Sequence, residues 1–247
     1  MLLKVELHTH TSDDPIDRIP HTVTDLIDRA AALGYQALAI TLHDRQLDIR
    51  RFAAYACARG IVLIPGIERT IQGRHVLLLN FHSGAADVRT FEDLARLKCR
   101  ESGLVVAPHP FFPSSTCLGR DLDRYPMLFD AVECNAMYTK SVNFNRRAEH
   151  WAVRHDRPLV GNCDVHRLWQ LGTTYSLVDA EPNADDICAS IAAGRVRVES
   201  RPLTWVEVAR TLGSMFLSDI ASQLQPDWRT RSCPDPSALE SAVVPKD

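Results

Sequence analysis

The sequence lacks the features of membrane, secreted and zinc-ribbon proteins. It contains no apolar run near the roughly 20 residues that a membrane span requires. It begins without a basic segment followed by an apolar one, so we expect no secretory signal peptide. The seven cysteines are an odd number, are scattered and include no Cys-x-x-Cys pair, which argues against a disulfide framework or a structural zinc site. We therefore expect a cytoplasmic protein.

An excess of basic charge is also missing. The 28 lysines and arginines are balanced by 31 aspartates and glutamates, for a net charge of −3. Nothing in this balance favours nucleic acid as a partner. The 45% hydrophobic and 24% charged residues are instead typical of a soluble globular chain.

The length of 247 residues favours one domain. We expect this domain to cover residues 1–224 and residues 225–247 to form a flexible tail, because the last segment holds several prolines and few large apolar residues. The oligomeric state is left open by the sequence.

Short runs rich in valine, isoleucine and leucine alternate with helical patterns, as in parallel α/β folds. Seven such runs in a chain of this length favour a barrel over a two-domain arrangement. The predicted strands are Leu3–His8, Ala37–Thr41, Ile61–Pro65, His75–Phe81, Leu104–Ala107, Ala131–Asn135 and Leu159–Asn162. Residues Glu68–His75, with a glycine-containing turn, predict a hairpin.

Capping-box-like pairs three residues apart mark three helix starts, and glycines mark their ends. A longer amphipathic helix is predicted over Thr204–Leu224, and it either covers the barrel or contacts another subunit. The paired starts and stops are Thr22 and Asp25 with Gly34, Thr90 and Asp93 with Gly103, and Asn183 and Asp186 with Gly194.

Six of the ten histidines lie at or beside predicted strand ends. In α/β barrels, the loops at the carboxyl ends of the strands build the active site. His8-Thr-His10 and Asp164-Val-His166 each place two side chains on the same face of an extended segment. Two such pairs at strand ends favour a metal site over buried structural histidines. The six histidines are His8, His10, His43, His75, His109 and His166.

These residues resemble the motifs of the polymerase and histidinol phosphatase (PHP) family, in order along residues 3–202. The resemblance implies a distorted seven-stranded (β/α) barrel and a metal-dependent phosphoesterase. Two features differ from the family: Leu42 replaces an aspartate, and the spacing after His10 is shorter, so either Asp13 or Asp14 fits the family's aspartate. The motifs are Glu6-Leu-His-Thr-His-Thr-Ser-Asp13, Ala39-Ile-Thr-Leu-His-Asp44, Pro65-Gly-Ile-Glu68, Ala107-Pro-His-Pro110 and Gly161-Asn-Cys-Asp-Val-His166.

The resemblance also implies two or three divalent metal ions. The imidazole and carboxylate ligands suit zinc, manganese or iron. The implied ligands are His8, His10, Glu68 and Asp164 for the first ion, Glu68, His75 and His109 for the second, and Asp13 or Asp14, His43 and His166 for the third.

The charge of such a cluster suggests the substrate. Three divalent ions and three carboxylates leave a net charge of about +3, which favours a phosphate dianion. We expect hydrolysis of a small phosphomonoester by attack of a metal-bound hydroxide. The catalytic residues are expected to be Glu68, Asp164 and His166.

Further residues are expected to line the substrate site. Arg45 and Arg167 could grip phosphate bidentately, and Asn135 ends the sixth strand. Phe111 and Phe112 form either a substrate wall or core.

The alternatives are a phosphodiesterase or exonuclease acting on nucleotides, a non-catalytic binding module of this fold, and a metal-dependent amidohydrolase. The absence of a basic face with interspersed aromatic residues disfavours the exonuclease.

Overall fold

A computed structural model describes residues 1–224 of the chain. Nine strands in this part of the chain form one sheet in the order β7-β6-β5-β4-β3-β2-β1-β8-β9. The strands are β1 (Leu2–Glu6), β2 (Ala37–Ile40), β3 (Val62–Ile71), β4 (Arg74–Leu79), β5 (Leu104–Ala107), β6 (Ala131–Asn135), β7 (Leu159–Asn162), β8 (Thr174–Asp179) and β9 (Val196–Ser200).

Helices cover the outside of this sheet. The capping boxes predicted at Thr22 and Thr90 are present, and the Asn183 side chain accepts a hydrogen bond from the Asp186 amide. The helices are α1 (Val23–Ala32), α2 (Ala53–Cys57), α3 (Phe91–Arg100), α4 (Arg120–Arg124), α5 (Asn145–Arg154), α6 (Ala184–Ala192) and α7 (Trp205–Leu224). The long C-terminal helix is confirmed, whereas the predicted tail, residues 225–247, lies outside the described residues.

The glycine predicted to end α3 has another role. Gly34 and Gly194 adopt positive φ after their helices, as expected. Gly103 does not, and a Cβ there would lie 2.5 Å from the Phe81 ring. This position therefore requires glycine for close packing.

The sheet is mixed, which corrects the expectation of a parallel barrel. β1, β2 and β3 are mutually parallel, as are β5, β6 and β7, but β4 runs antiparallel to both of its neighbours. The cause is the predicted hairpin, whose turn at Gln72 and Gly73 reverses the chain after β3. The start of β4 consequently lies at the same rim as the carboxyl ends of the parallel strands.

The nine strands form a barrel-like sheet of the predicted kind, with two strands more than the predicted seven. The segment after β1 pairs with the segment after β7 through a parallel bridge between Thr9 and Val165, which closes the ring at the functional rim. At the other end of β1, residues Leu2–Val5 pair with β8 instead. The hairpin of β8 and β9 was not predicted from the sequence.

The barrel interior is apolar below the rim. Leu3, Val5 and Leu7 of the first strand segment are fully buried among aliphatic side chains from the other strands. No helix in the described residues is both long enough and apolar enough for a membrane crossing.

Candidate metal centre

The two histidine-containing motifs lie side by side at the rim. The amide of His10 donates to the carbonyl of Val165 (3.0 Å), and the amide of Val165 donates to the carbonyl of His8 (3.1 Å). Thr9 and Val165 thus pair, and the residues flanking them point to the opposite face, into the barrel. This pairing brings His8, His10 and Asp164 to one point.

Four polar atoms meet at that point. The Nε2 atoms of His8 and His10 lie 3.2 and 3.4 Å from Oε2 of Glu68. Both Nε2 atoms also lie 3.4 Å from Oδ1 of Asp164. The four side chains come from three segments of the chain, after β1, within β3 and after β7, which only the folded barrel brings together.

The second oxygen of Glu68 faces a different pair of imidazoles. Its Oε1 lies 2.7 Å from Nδ1 of His75 and 3.3 Å from Nε2 of His109. Glu68, which is 1% exposed, therefore stands between the first quartet and this pair. The arrangement places the carboxylate where a bridge between two ions would be.

A third group surrounds His43. Its Nε2 lies 3.2 Å from Oε2 of Glu68, and its Nδ1 lies 3.0 Å from Oδ2 of Asp14. Asp14 also lies 2.9 Å from Nδ1 of His10. His166 contacts a different carboxylate, because its Nε2 lies 2.9 Å from Oδ2 of Asp17.

The aspartates of the first loop have separate positions. Oδ1 of Asp14 accepts the amides of Ile16 and Asp17, so its carboxylate is saturated with hydrogen bonds and orients the two histidines. Asp17 is the carboxylate nearest His166, with its Oδ2 also 3.9 Å from Nδ1 of His43. The backbone carbonyl of Asp13 accepts a hydrogen bond from Arg45, and the candidate ligand groups among the described residues do not include Asp13.

A buried glutamate lies behind His8. Oε2 of Glu133 is 2.9 Å from Nδ1 of His8 and accepts from the Asn162 side chain at 3.0 Å. Its Oε1 accepts from the Asn135 side chain at 2.8 Å. Glu133 therefore fixes the ring of His8 and leaves Nε2 facing the centre.

The charges of these groups are strongly coupled. Burial alone would raise the pKa of Glu68, but the facing imidazoles of His8, His75 and His109 hold that pKa well below its ordinary value. Burial lowers the pKa of His43, but Asp14 and Glu68 outweigh this effect and raise it to about 9. The cluster is thus an ionised carboxylate enclosed by imidazoles.

Two residues of the cluster have left-handed backbone conformations. His109 has φ = +29° and Asp164 has φ = +52°. Such conformations cost free energy for residues with a Cβ and are concentrated at functional sites. The strained loops aim both side chains into the barrel.

The donor set fits divalent metal ions. Nε2 of His10 and Oδ1 of Asp164 are buried without a hydrogen-bond partner, which is costly unless another ligand satisfies them. Ligand atoms at 2.0–2.2 Å from a tetrahedral ion are separated by roughly 3.4 Å, in line with the spacing of the first quartet. Five overlapping groups of three potential ligands occur among the described residues, and each of the histidines named above belongs to at least one.

The predicted phosphate-gripping arginines do not point into the centre. Arg45 is exposed and donates to the carbonyl of Asp13 at 3.2 Å. Arg167 is buried and donates to the carbonyls of His166 and Ser214 at 2.7 and 2.9 Å. Its guanidinium therefore joins the metal-centre loop to α7.

A cavity of about 760 Å³ opens above the cluster. Asn135 lines it, as predicted, together with His43, Glu68 and Asp164. The two neighbouring phenylalanines are divided: Phe112 lines the cavity, whereas Phe111 packs against the hydrophobic core.

A family model described as PHP-associated matches residues 142–196. The motifs that carry the family resemblance also occur in order around the rim of the barrel. The chain therefore resembles PHP-type proteins in this segment and in its fold. A 3′,5′-nucleoside bisphosphate phosphatase of Chromobacterium violaceum is 38% identical to it over 79 residues, 31% of this chain and 26% of that protein. The chain thus matches about a quarter of the length of this curated relative.

Solved structures share the PHP-type fold. A two-domain protein from Bacteroides vulgatus containing a predicted PHP-like metal-dependent phosphoesterase has a TM-score of 0.63 and 16% identity, over 87% of this chain and 70% of that one. A lesion-specific endonuclease from Pyrococcus furiosus has a TM-score of 0.52 and 14% identity, over 86% and 66%. At these identities the likeness concerns the fold.

Sequence reasoning missed three polar residues around this centre. Glu133, Asp17 and Cys117 all lie outside the motifs that were considered, and Sγ of Cys117 lies 3.3 Å from Nδ1 of His109. Only Glu133 carried a usable signal, because a glutamate inside an apolar strand requires a buried partner.

Proposed function

We propose that this chain is a metal-dependent hydrolase that cleaves a small phosphomonoester. The observation that carries the proposal is the convergence of two imidazoles and two carboxylates at 3.2–3.4 Å, with a buried, unpartnered atom on His10 and another on Asp164. A set of this kind gains its missing partners by binding a divalent ion.

The residues would hold two or three ions. His8, His10, Glu68 and Asp164 would bind the first, and Glu68 would share its other oxygen with His75 and His109. For a third ion, His166 would act with His10 and Asp164, or His43 would act through Nε2 with Glu68 and His75, with Asp14 orienting the ring of His43 through Nδ1. Ions of this type lower the pKa of bound water to about 7 and polarise phosphoryl oxygens.

The protein contributes orientation and charge. Glu133 holds the His8 ring through Nδ1, and Asp14 holds His10 and His43 in the same way, so that the opposite nitrogens face the cavity. Because few carboxylates offset the charge of the bound ions, the floor of the cavity would attract a phosphate dianion. Asp164 and His166 line the cavity beside Glu68. Both would lie next to the bound phosphate.

A phosphatase of nucleoside bisphosphates among the relatives supports phosphomonoester chemistry for this chain. Hydrolysis of phosphodiesters in nucleic acid, the chemistry of an endonuclease, is the competing activity that must be tested.

The test uses the full chain, stripped with a chelator and reloaded separately with zinc, manganese or iron(II). Each form is assayed on a panel of phosphomonoesters, on bis(p-nitrophenyl) phosphate and on a single-stranded oligonucleotide. We expect monoester hydrolysis that disappears on stripping and returns on reloading. A preference for the diester or the oligonucleotide would replace the proposal, and inactivity of every loaded form on all substrates would refute it.

A further inference from the structure

The cavity above the metal centre has two chemically different halves. Its floor consists of the candidate metal ligands, whereas the rest of its lining combines apolar side chains with the polar side chains of Thr70, Ser114, Thr116, Asn135 and Gln170. The apolar part, called the apolar rim here, is formed by Ile16, Phe112, Pro113, Met137 and Leu212. These residues come from four separate segments: the loop after β1, the loop after β5, the loop after β6 and the helix α7.

Two apolar side chains of this rim are about half exposed. Ile16 and Leu212 are 47% and 54% exposed, although large apolar side chains at a cavity mouth are stabilised by contact with an apolar group. Phe112 offers a ring next to the floor, since its centroid lies 6.5 Å from that of His109 and 5.3 Å from that of Phe144. The rim therefore presents exposed apolar surface directly beside the candidate metal ligands, where the phosphate would bind.

Cationic side chains are missing from the same cavity. Among the described residues, no lysine or arginine lines it. Arg74, which neighbours the cavity residue His75, pairs with Asp121, and Arg45 donates to the backbone of Asp13. Beyond the floor, a second phosphate would therefore meet hydroxyls, amides and apolar groups without a countercharge.

Arg167 keeps one part of the rim in place. Its guanidinium joins the carbonyl of His166 to the carbonyl of Ser214, two residues beyond Leu212 on α7. The helix is thus tied to the loop that carries a candidate metal ligand. This contact holds α7, which carries Leu212, against the loop that carries His166.

We infer that the substrate is a monoester with one phosphate and an uncharged, largely apolar, planar organic group that is held by Phe112 and Leu212. This inference rests on the proposed phosphoesterase function and names the substrate class for the same site. The phosphate binds at the floor of the cavity. The organic group lies against the apolar rim and departs past it after hydrolysis. A second phosphate is disfavoured, in contrast to the substrate of the nucleoside bisphosphate phosphatase named above.

The experiment compares 1-naphthyl phosphate, glycerol 2-phosphate and adenosine 3′,5′-bisphosphate with the metal-loaded full chain. We expect kcat/KM for the naphthyl ester to exceed that for each of the others by about tenfold or more, because burying an apolar group in such a pocket contributes on this scale. Phe112→Ala and Leu212→Ala are each expected to raise KM for the naphthyl ester about tenfold and to lower kcat/KM for the glycerol ester by a clearly smaller factor. Leu217→Ala, the same change at an exposed position of α7 that does not line the cavity, is the matched control and should change neither.

Metal content and thermal unfolding of each variant are measured alongside, so that a folding defect is recognised. Equal losses on the naphthyl and glycerol esters, or a preference for the bisphosphate, would overturn the inference. If no ester is hydrolysed at all, the proposed function fails separately, and the rim is tested by calorimetry with naphthyl phosphate and inorganic phosphate. Equal affinity for these two ligands would then overturn the inference independently of activity.

Discussion

Glu68 and Glu133 are both buried carboxylates that contact histidines, but their surroundings differ. Glu68 divides its two oxygens between two groups of imidazoles, so any ions bound there would share it. Glu133 contacts the far side of one ring, with two asparagine side chains completing its hydrogen bonds. The two residues therefore allow ligation and ring orientation to be separated by mutation.

We predict that Glu68→Gln reduces kcat on an active monoester by more than about 100-fold, beyond the usual loss from one orienting contact. The change removes a negative charge between the ions and weakens one ligand oxygen. Steady-state kinetics and metal analysis on the same samples check this. Glu92→Gln, at an exposed position of α3, is the control, and near-normal kcat with full metal content in Glu68→Gln would exclude a bridging role.

Glu133→Gln is expected to act on metal affinity more than on the chemical step. The amide preserves the size of the side chain but removes the charge that faces Nδ1 of His8. We expect metal affinity to fall by about 10–100-fold, and excess metal should restore most of kcat. Chelator competition measures the affinity, and a loss of kcat that saturating metal does not restore would show that Glu133 acts otherwise.

At the scale of elements, the contact of β7 with β8 depends on one glycine. A Cβ at Gly161 would lie 2.7 Å from the carbonyl oxygen of Tyr175 and 2.8 Å from the Val198 side chain. The Ser176 hydroxyl bonds to both the amide and the carbonyl of Gly161. The unpredicted hairpin is thus joined to the strand that leads into Asp164.

We predict that Gly161→Ala lowers the free energy of unfolding by about 1–3 kcal/mol, the usual cost of overpacking. Gly213→Ala is the matched control, because a Cβ there meets nothing within 4 Å and alanine favours the helix by roughly 0.5–1 kcal/mol. Denaturant unfolding of both variants measures the effects. Equal stability of the two variants would show that the β7–β8 contact can relax.

Most of the fold was predictable because its elements carry local signals. The apolar runs identified β1 to β7, and the capping pairs at Thr22 and Thr90 identified α1 and α3. β8 was not predicted because buried and partly exposed side chains alternate along Thr174–Asp179. Such a strand contains no continuous apolar run. Gly103 was misassigned because its reason for being glycine lies in Phe81, which is distant in sequence.

The candidate site was predictable to the extent that its residues fall at strand ends. His8, His10, Glu68, His75, His109 and Asp164 were named and are found together. The partners of Arg167 could not be foreseen, because the contact with α7 arises only in the folded chain. Asp17 lies outside the motif spacing that was considered, and only the path of the first loop brings it to His166.

For the molecule as a whole, metal loading should be linked to protons. With its pKa raised to about 9, His43 is protonated at pH 7.5 in the metal-free protein, and an imidazole must be neutral to bind a metal. Loading should therefore release protons, and apparent affinity should rise with pH up to about 9. Calorimetry in two buffers of different ionisation enthalpy measures the release, and identical heats in both would contradict it.

The bridge between Thr9 and Val165 gives the barrel a seam whose opening would separate the two halves of the cluster. Each transient opening would move His8 and His10 away from Asp164. Ions bound by residues on both sides of the seam would therefore keep the bridge closed. Amide hydrogen exchange at His10 and Val165, whose amides donate the hydrogen bonds of this bridge, should slow on metal loading far more than exchange between β4 and β5 on the opposite wall. The local opening of this protein would then be controlled by the same ions that would take part in its reaction.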